Sequence, residues 1–320
     1  MKKSMTYECI NVDSWHKLKD IPKGSREKQW VLKDVTGLRK PGSKVDLFLF
    51  KESHKRYPAE FWAEMVTSEV GRIAGVPTPE THCAHMDDKY AALIKFFLKI
   101  EWNEKDQRYQ QVETLLEGGD IIVGIDPTFD RKEGEKHNIF LVEKIFLRLK
   151  SDNLFKEFLK ILIFDTIIGN TDRHQDNWGF IRNNKTSEIH LAPAFDNSTS
   201  LGSELIEEKL AGYLDHNEVK LKQYIRKGKV HIRWSENGSE LIRINHFELL
   251  KNIASKRKFV IDDIREMTRF TDQQIKYLLD GLAKIKINNS KYSLSAVRRN
   301  LILRIVCLRR YLLKEEFKII

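Results

Sequence analysis

The placement of proline limits what this chain can fold into more than any other feature. All seven prolines lie at or before Pro193, and the 127 residues after it contain none. Proline removes a backbone donor and clashes with the preceding helical turn, so a long stretch without it can run through successive helices. Within that stretch Val297, Leu301, Ile305, Leu308 and Leu312 step by three or four, the spacing of one buried helix face over 294–317. The first hundred residues are different. QWVLKDV (29–35) and KVDLFLFKE (44–52) are short β-rich runs parted by Gly-Leu-Arg-Lys-Pro-Gly, a turn signal. With 320 residues, more than one core usually serves. The expectation is an α+β protein of two lobes, strand-rich over 1–101 and larger and helical over 102–320.

Between these regions, PAEFWAEMVTSEVGRIAGVPTP (58–79) reads as one amphipathic helix with Pro58 in its first turn and an apolar stripe of Phe61, Met65, Val66, Val70 and Ile73. KYAALIKFFLKI (89–100) reads as a buried strand. NLFKEFLKILIFDTII (153–168) is apolar nearly all round and should be a buried helix. Composition narrows the class. Hydrophobic residues make up 41% and charged residues 32%, with no apolar window of the roughly 18 residues a membrane span needs. The first fifteen residues hold lysines but no apolar segment behind them, which argues against a secretory signal. Three cysteines, Cys9, Cys83 and Cys307, are odd in number and far apart in sequence, which suits a reducing, cytoplasmic setting. The net charge of +10 is spread, with one denser basic stretch over 219–234 that reads as a solvated face.

The stretch that carries chemistry is GNTDRHQDNWGFI (169–181), directly after the buried helix. As a metal site it lacks HExxH, a CxxC pair or a calcium-loop pattern. His82 and Cys83 in His-Cys-Ala-His (82–85) would face opposite sides of a strand, so that stretch is a weak metal candidate too. Asp172 and Asn177, five residues apart, match the catalytic loop of phosphoryl-transfer enzymes, in which an Asp accepts the acceptor's hydroxyl proton and an Asn holds magnesium. Nineteen residues further on, Phe195-Asp196-Asn197 ends a short apolar run, placing Asp196 as the second metal carboxylate. Upstream, alternating VDLFLFK ends at Lys51, a candidate for the nucleotide phosphates, and Glu64 stands thirteen residues on in the predicted helix as its partner; Glu60 and Glu69 are alternatives. No glycine-rich kinase loop or Walker A sequence is present. The candidate phosphate cover is Pro22-Lys-Gly24-Ser25-Arg26-Glu-Lys28, where one glycine permits a tight turn.

These residues resemble the HipA-like kinases of compact type, through GSREKQW (24–30), LFLFKES (47–53), EFWAEMVTSEVGRIAGVP (60–77), IIGNTDRHQDNWGFI (167–181) and APAFDNSTSLGSEL (192–205). The resemblance covers roughly residues 20 to 235 and implies a bilobal, protein-kinase-like fold with ATP- and magnesium-dependent serine/threonine phosphorylation. It further implies Asp172 as base, Asn177 and Asp196 as magnesium ligands, Lys51 as phosphate lysine and Ser25 as an autophosphorylation site. Partners implied by the family are a protein substrate, such as an aminoacyl-tRNA synthetase or a host protein, and a small or DNA-binding antitoxin. The role implied is that of a toxin or a translocated effector. Longer members carry an additional N-terminal subdomain, whereas about twenty residues precede Gly24 here. Two other classes share parts of the pattern: a phosphoinositide kinase, whose lipid would suit the basic surface, and an inactive nucleotide- or nucleic-acid-binding module with 219–234 as its footprint.

Overall fold

Alternation organises the N-terminal half. In LFLFKE, Phe48 and Phe50 point to one face and join Val12, Val31, Ala84, Ala91 and Leu93 in an apolar cluster, while Leu49 and Lys51 turn the other way into a cleft. The computed structural model describes residues 7–19, 27–33, 46–58, 60–106, 108–215, 218–236, 238 and 240–319. Around this strand it builds a six-stranded sheet from β1 (Cys9–Asn11), β2 (His16–Lys17), β3 (Lys28–Leu32), β4 (Leu47–Glu52), β5 (Thr81–Met86) and β6 (Lys89–Lys95). The spatial order is β1-β5-β6-β4-β3-β2, with β1 and β5 parallel and the other pairs antiparallel. The register sets Lys51 beside Lys28 on one side and Ala92 on the other. It also brings Cys9 opposite Cys83, with the two free thiol sulfurs 3.3 Å apart despite 74 residues of separation.

Helix α1 (Phe61–Ala74) crosses behind the sheet. It begins three residues later than Pro58 suggests, because Ser53 Oγ accepts the Phe61 N–H at 2.9 Å and Glu60 folds back to accept the His54 N–H at 2.7 Å. The strand expected over 89–100 stops at Lys95; β7 (Ile100–Asn103) instead pairs with β8 (Arg108–Gln111) in a separate hairpin. A third, small sheet has the order β11-β10-β9, from β9 (Glu113–Glu117), β10 (Gly179–Asn183) and β11 (Ile189–Leu191).

The helices that follow are α2 (Gly118–Ile125), α3 (Ile139–Arg148), α4 (Asp152–Ile168), α5 (Val219–Lys227), α6 (His246–Lys256), α7 (Phe259–Met267), α8 (Asp272–Leu282) and α9 (Ala296–Glu316). Helix α4 is their centre, contacted by α1, α3, α6, α7 and α9. Eleven of its seventeen residues are buried, which matches its nearly continuous apolar sequence. Phe158 on α4 and Phe146 on α3 pack edge-on against Trp178 and Phe180, with ring centroids 5.0 and 5.1 Å apart, fixing the end of the polar loop in the core. Trp62 is buried as well; Trp30 is half-buried and lines the cleft. The proline-free region is not wholly helical. Between α5 and α6 the bridges Lys229–Asn245 and Trp234–Ile242 make an irregular antiparallel hairpin, in which buried Val230, Ile232 and Trp234 alternate with more accessible Lys229, His231 and Arg233. No helix among the described residues is long and apolar enough to cross a membrane.

Candidate active site

The site is assembled where α4 ends. Gly169 closes the helix at φ 75°, a left-handed conformation that disfavours side chains, and a Cβ there would lie 2.8 Å from the Arg309 guanidinium carbon. The chain then turns at Asn170, whose side-chain oxygen accepts the Asp172 N–H at 2.9 Å and whose carbonyl accepts from buried His246 Nε2 at 2.8 Å. Burial drives the His246 imidazole down to a pKa of about 3, so it serves as a neutral donor.

Arg173 is the residue that holds this loop together. The residue is 2% exposed, and its guanidinium uses all five N–H donors: two on Asp165 at 2.7 and 3.0 Å, and one each on Asn177 O (2.8 Å), Phe195 O (2.6 Å) and Asn197 Oδ1 (2.7 Å). It therefore ties α4, the polar loop and the Phe-Asp-Asn segment into one unit. Burial raises the Asp165 carboxyl above the ordinary range, against the pull of Arg173. Sequence reading passed over Arg173 as the residue between two positions of a motif. The available signal was Asp165, a carboxylate in an otherwise apolar helix that requires a buried cation.

Five separated candidates converge on one cavity of about 670 Å³. Lys51 Nζ donates to Glu64 Oε1 at 2.5 Å, Asp196 Oδ1 at 2.6 Å and Ser198 Oγ at 3.3 Å. Of the three glutamates considered on α1 and its flank, Glu64 makes this pair. Glu60 turns to His54 and Glu69 to Arg72. The second oxygen of Glu64 accepts the Asn197 N–H at 3.2 Å, so one carboxylate orders both the lysine and the segment after Asp196. Burial penalises the Lys51 ammonium, but Glu64 and Asp196 outweigh it and hold the lysine charged well beyond its ordinary range. Burial opposes charge on Asp196 too, and Lys51, with Lys28 further off, keeps its carboxyl far below the usual range. Asp196 has a φ of 54°, a left-handed backbone that an aspartate tolerates at some cost.

Asp172 is half-buried in the same cavity, and burial lifts its pKa, opposed by His174 and assisted by Asp196. Asn177 Nδ2 donates to Asp172 O at 2.8 Å, bracing the loop across its base. Apolar walls come from Leu49, Ile94, Phe96, Leu115 and Phe195, with Phe97 stacked on Phe195 at 5.4 Å. Lys28 also lines the cavity; Gly24, Ser25 and Arg26 lie outside the described residues. The cavity lies within the size range of nucleotide-sized ligand sites, about 300–1,000 Å³. Among the described residues no group of three His, Cys, Asp or Glu side chains forms a metal cluster, and His82 pairs with Glu80 at 2.8 Å. One carboxylate and one amide, Asp196 and Asn177, in one cavity is a donor set that fits magnesium, which takes one or two protein carboxylates and fills its shell from phosphates and water.

Comparison with known proteins follows this geometry. The family model of the HipA-like C-terminal domain matches residues 20–273. The chain belongs to that family. The match runs past the hairpin and α6 to α8, beyond the motifs legible in sequence. A serine/threonine-protein kinase, CtkA of Helicobacter pylori (strain J99), is 30% identical over 102 residues, which is 31% of this chain and 29% of that relative. The crystal structure of an H. pylori proinflammatory kinase CtkA superposes with a TM-score of 0.73 at 17% identity, covering 97% of this chain and 96% of that one. HipA of Shewanella oneidensis MR-1, in a toxin–antitoxin complex with HipB and operator DNA, gives a TM-score of 0.55 at 12% identity, over 91% of this chain and 65% of that one. The fold is thus the HipA-like kinase fold, α+β with a curled strand-rich sheet and a helical part.

Proposed function

We propose that this protein is a serine/threonine kinase that uses ATP and magnesium to phosphorylate a protein hydroxyl. The observation that carries the reading is the position of Lys51, which is bound at once to Glu64 and Asp196 across a cavity that Asp172 and Asn177 also line. Lys51 would meet the nucleotide phosphates, with Glu64 holding it in place. Asp196 and Asn177 would hold magnesium, which when bound supplies charge neutralisation on the phosphates. Asp172 orients the acceptor hydroxyl and accepts its proton as that oxygen bonds to the γ-phosphorus; the bond to the bridging oxygen breaks and ADP departs with the electron pair. The raised Asp172 pKa fits a base, since a carboxyl nearer neutrality is a better proton acceptor.

The same reading includes autophosphorylation at Ser25, and a small or DNA-binding antitoxin as partner in a cytoplasmic toxin or effector. Support for the antitoxin is the fold shared with a HipA that is bound to HipB. Radiolabelled ATP supplied to the protein alone, then with cell lysate, then with phosphoinositide vesicles, tests the assignment. Label on protein in the first two arms is expected. Label in the lipid alone would transfer the site to lipid kinases, and no label in any arm would overturn phosphoryl transfer.

A further inference from the structure

The basic stretch singled out in the sequence ends in the hairpin of residues 229–245, and that hairpin stands beside the catalytic loop. Val230, Ile232 and Trp234 point into the core, so by strand alternation Lys229, His231 and Arg233 take the opposite face. The returning strand adds exposed Arg243, fastened by hydrogen bonds to Val230 O (2.9 Å) and Lys229 O (3.2 Å). His231 lies against His174, a catalytic-loop residue, with ring centroids 5.8 Å apart. At the hairpin's start, a Cβ on Gly228 would lie 3.4 Å from Thr171 Cγ2. The result is a row of positive and imidazole groups that ends next to Asp172.

Two properties suit this row to an anion. Among the described residues neither half-buried Arg233 nor exposed Arg243 is in an ion pair, whereas the other half-buried arginines, Arg131, Arg257, Arg299 and Arg310, each are. They crowd each other as well, and the one carboxylate that eases the charge on Arg243 is Asp172. His231 Nδ1 is buried without a hydrogen-bond partner. The cavity wall itself carries the contrary sign at Glu117 and Asp176, which with nearby Asp120 gather around the single guanidinium of Arg131. A polyanion such as nucleic acid that ran from the row into the cavity would meet the carboxylates of Asp172, Asp176 and Glu117. A single acidic side chain beside a neutral hydroxyl would not.

We infer that Arg233 and Arg243, with His231 between them, form a docking site for an acidic side chain of the acceptor polypeptide, next to the serine or threonine presented to Asp172. The inference rests on the kinase reading and assigns its substrate class: acceptor hydroxyls flanked by aspartate, glutamate or an already phosphorylated residue. Arg243 and Arg233 act as specificity residues, since they would touch the acceptor chain away from the reacting atoms.

The test uses the full chain and two serine peptides that differ only by Asp against Asn at the flanking positions. For the wild type, kcat/KM is expected to favour the Asp peptide by about fivefold or more, the scale of one charge–charge contact in water, and less at high salt. In Arg233→Gln/Arg243→Gln that ratio falls to about one, and Arg243→Lys restores part of it. Fluorescence anisotropy of the labelled Asp peptide, with a single-stranded RNA as competitor, reads the same site without turnover. Equal use of both peptides by the wild type overturns the inference while leaving the kinase reading intact. Binding of the Asp peptide that the arginine substitutions abolish, with neither peptide phosphorylated and no label in any arm of the radiolabelled-ATP assay, supports the docking site and removes the kinase reading. Loss of RNA binding in the variant, with peptide binding unchanged, assigns the row to nucleic acid and overturns the inference.

Discussion

Replacing Arg173 with methionine keeps an unbranched apolar stem of similar reach and deletes five hydrogen bonds at once. Asp165 is then left buried with only the Asn170 amide, 3.3 Å away. Removing one partner of a buried ion pair costs about 3–5 kcal/mol, because the other charge stays in a poor solvent. For 320 residues, with an unfolding entropy of about 2.1 cal/mol/K per residue, that corresponds to a fall in Tm of about 4–7 °C. The penalty should also depend on pH. Burial already raises the Asp165 carboxyl, and Arg173 is the main force holding it down. Without Arg173 the folded pKa climbs further above the unfolded value of about 3.9, so the folded variant keeps a proton that the unfolded chain releases. Stability contributed by such a group is complete below the unfolded pKa and is lost as pH rises toward the folded one. Urea unfolding of wild type and Arg173→Met from pH 4.5 to 7.5 should therefore show a gap that widens with pH. Asp165→Asn in the Arg173→Met background should flatten it. A gap that is constant with pH, or smaller than about 1 kcal/mol at pH 7.5, would refute the account of Asp165 as a carboxylate dependent on Arg173.

Asp172→Asn should lower phosphotransfer by about 10²–10⁴-fold with nucleotide affinity nearly unchanged, measured by steady-state rates and calorimetry. Because the Asp172 pKa is raised, wild-type kcat should fall with acidification at a pH above the ordinary aspartate range, and a limb at or below about pH 4 would count against its role as base. Asp196→Asn should weaken the magnesium-dependent part of ATP binding, with Asn177→Ala a milder case relieved by added magnesium; thermal shift across a magnesium titration checks both. Incubation with Mg-ATP should place phosphate on Ser25, found by intact mass and peptide mapping, and phosphate solely at other sites would argue against it.

Local rules made much of this molecule legible. The alternation of LFLFKE set Lys51 on the cleft face, and the nearly all-apolar helix ending in Gly-Asn announced the loop that follows. What stayed hidden was decided by partners remote in the chain. Three glutamates on or near one helix are equivalent by periodicity, and only the pairing of β4 with its neighbours selects Glu64. The boundaries of α1 and β6 moved because side-chain caps and a separate hairpin claimed backbone groups that apolar pattern alone assigned otherwise. The 229–245 hairpin lies in a proline-free region whose general character points to helix, and its irregular strands share only two antiparallel bridges. Cys9 and Cys83 looked unrelated until a parallel pairing made them neighbours.

The last helix also decides when the site can exist. Arg298 on α9 donates to Gly202 O and Leu205 O, steadying the segment after Asp196, and Arg309 donates to Thr166 O beneath the start of the polar loop. Glu316, the final residue of α9, is translated 120 residues after Asp196. At a synthesis rate of about 5–20 residues per second, every side chain of the candidate site has been made roughly 6–24 s before its support arrives. A ribosome thus holds an idle nascent chain for that interval, and a chain cut short before α9 never acquires the brace. Under the kinase reading proposed above, that order of synthesis leaves an interval in which every residue of the candidate site exists without its brace.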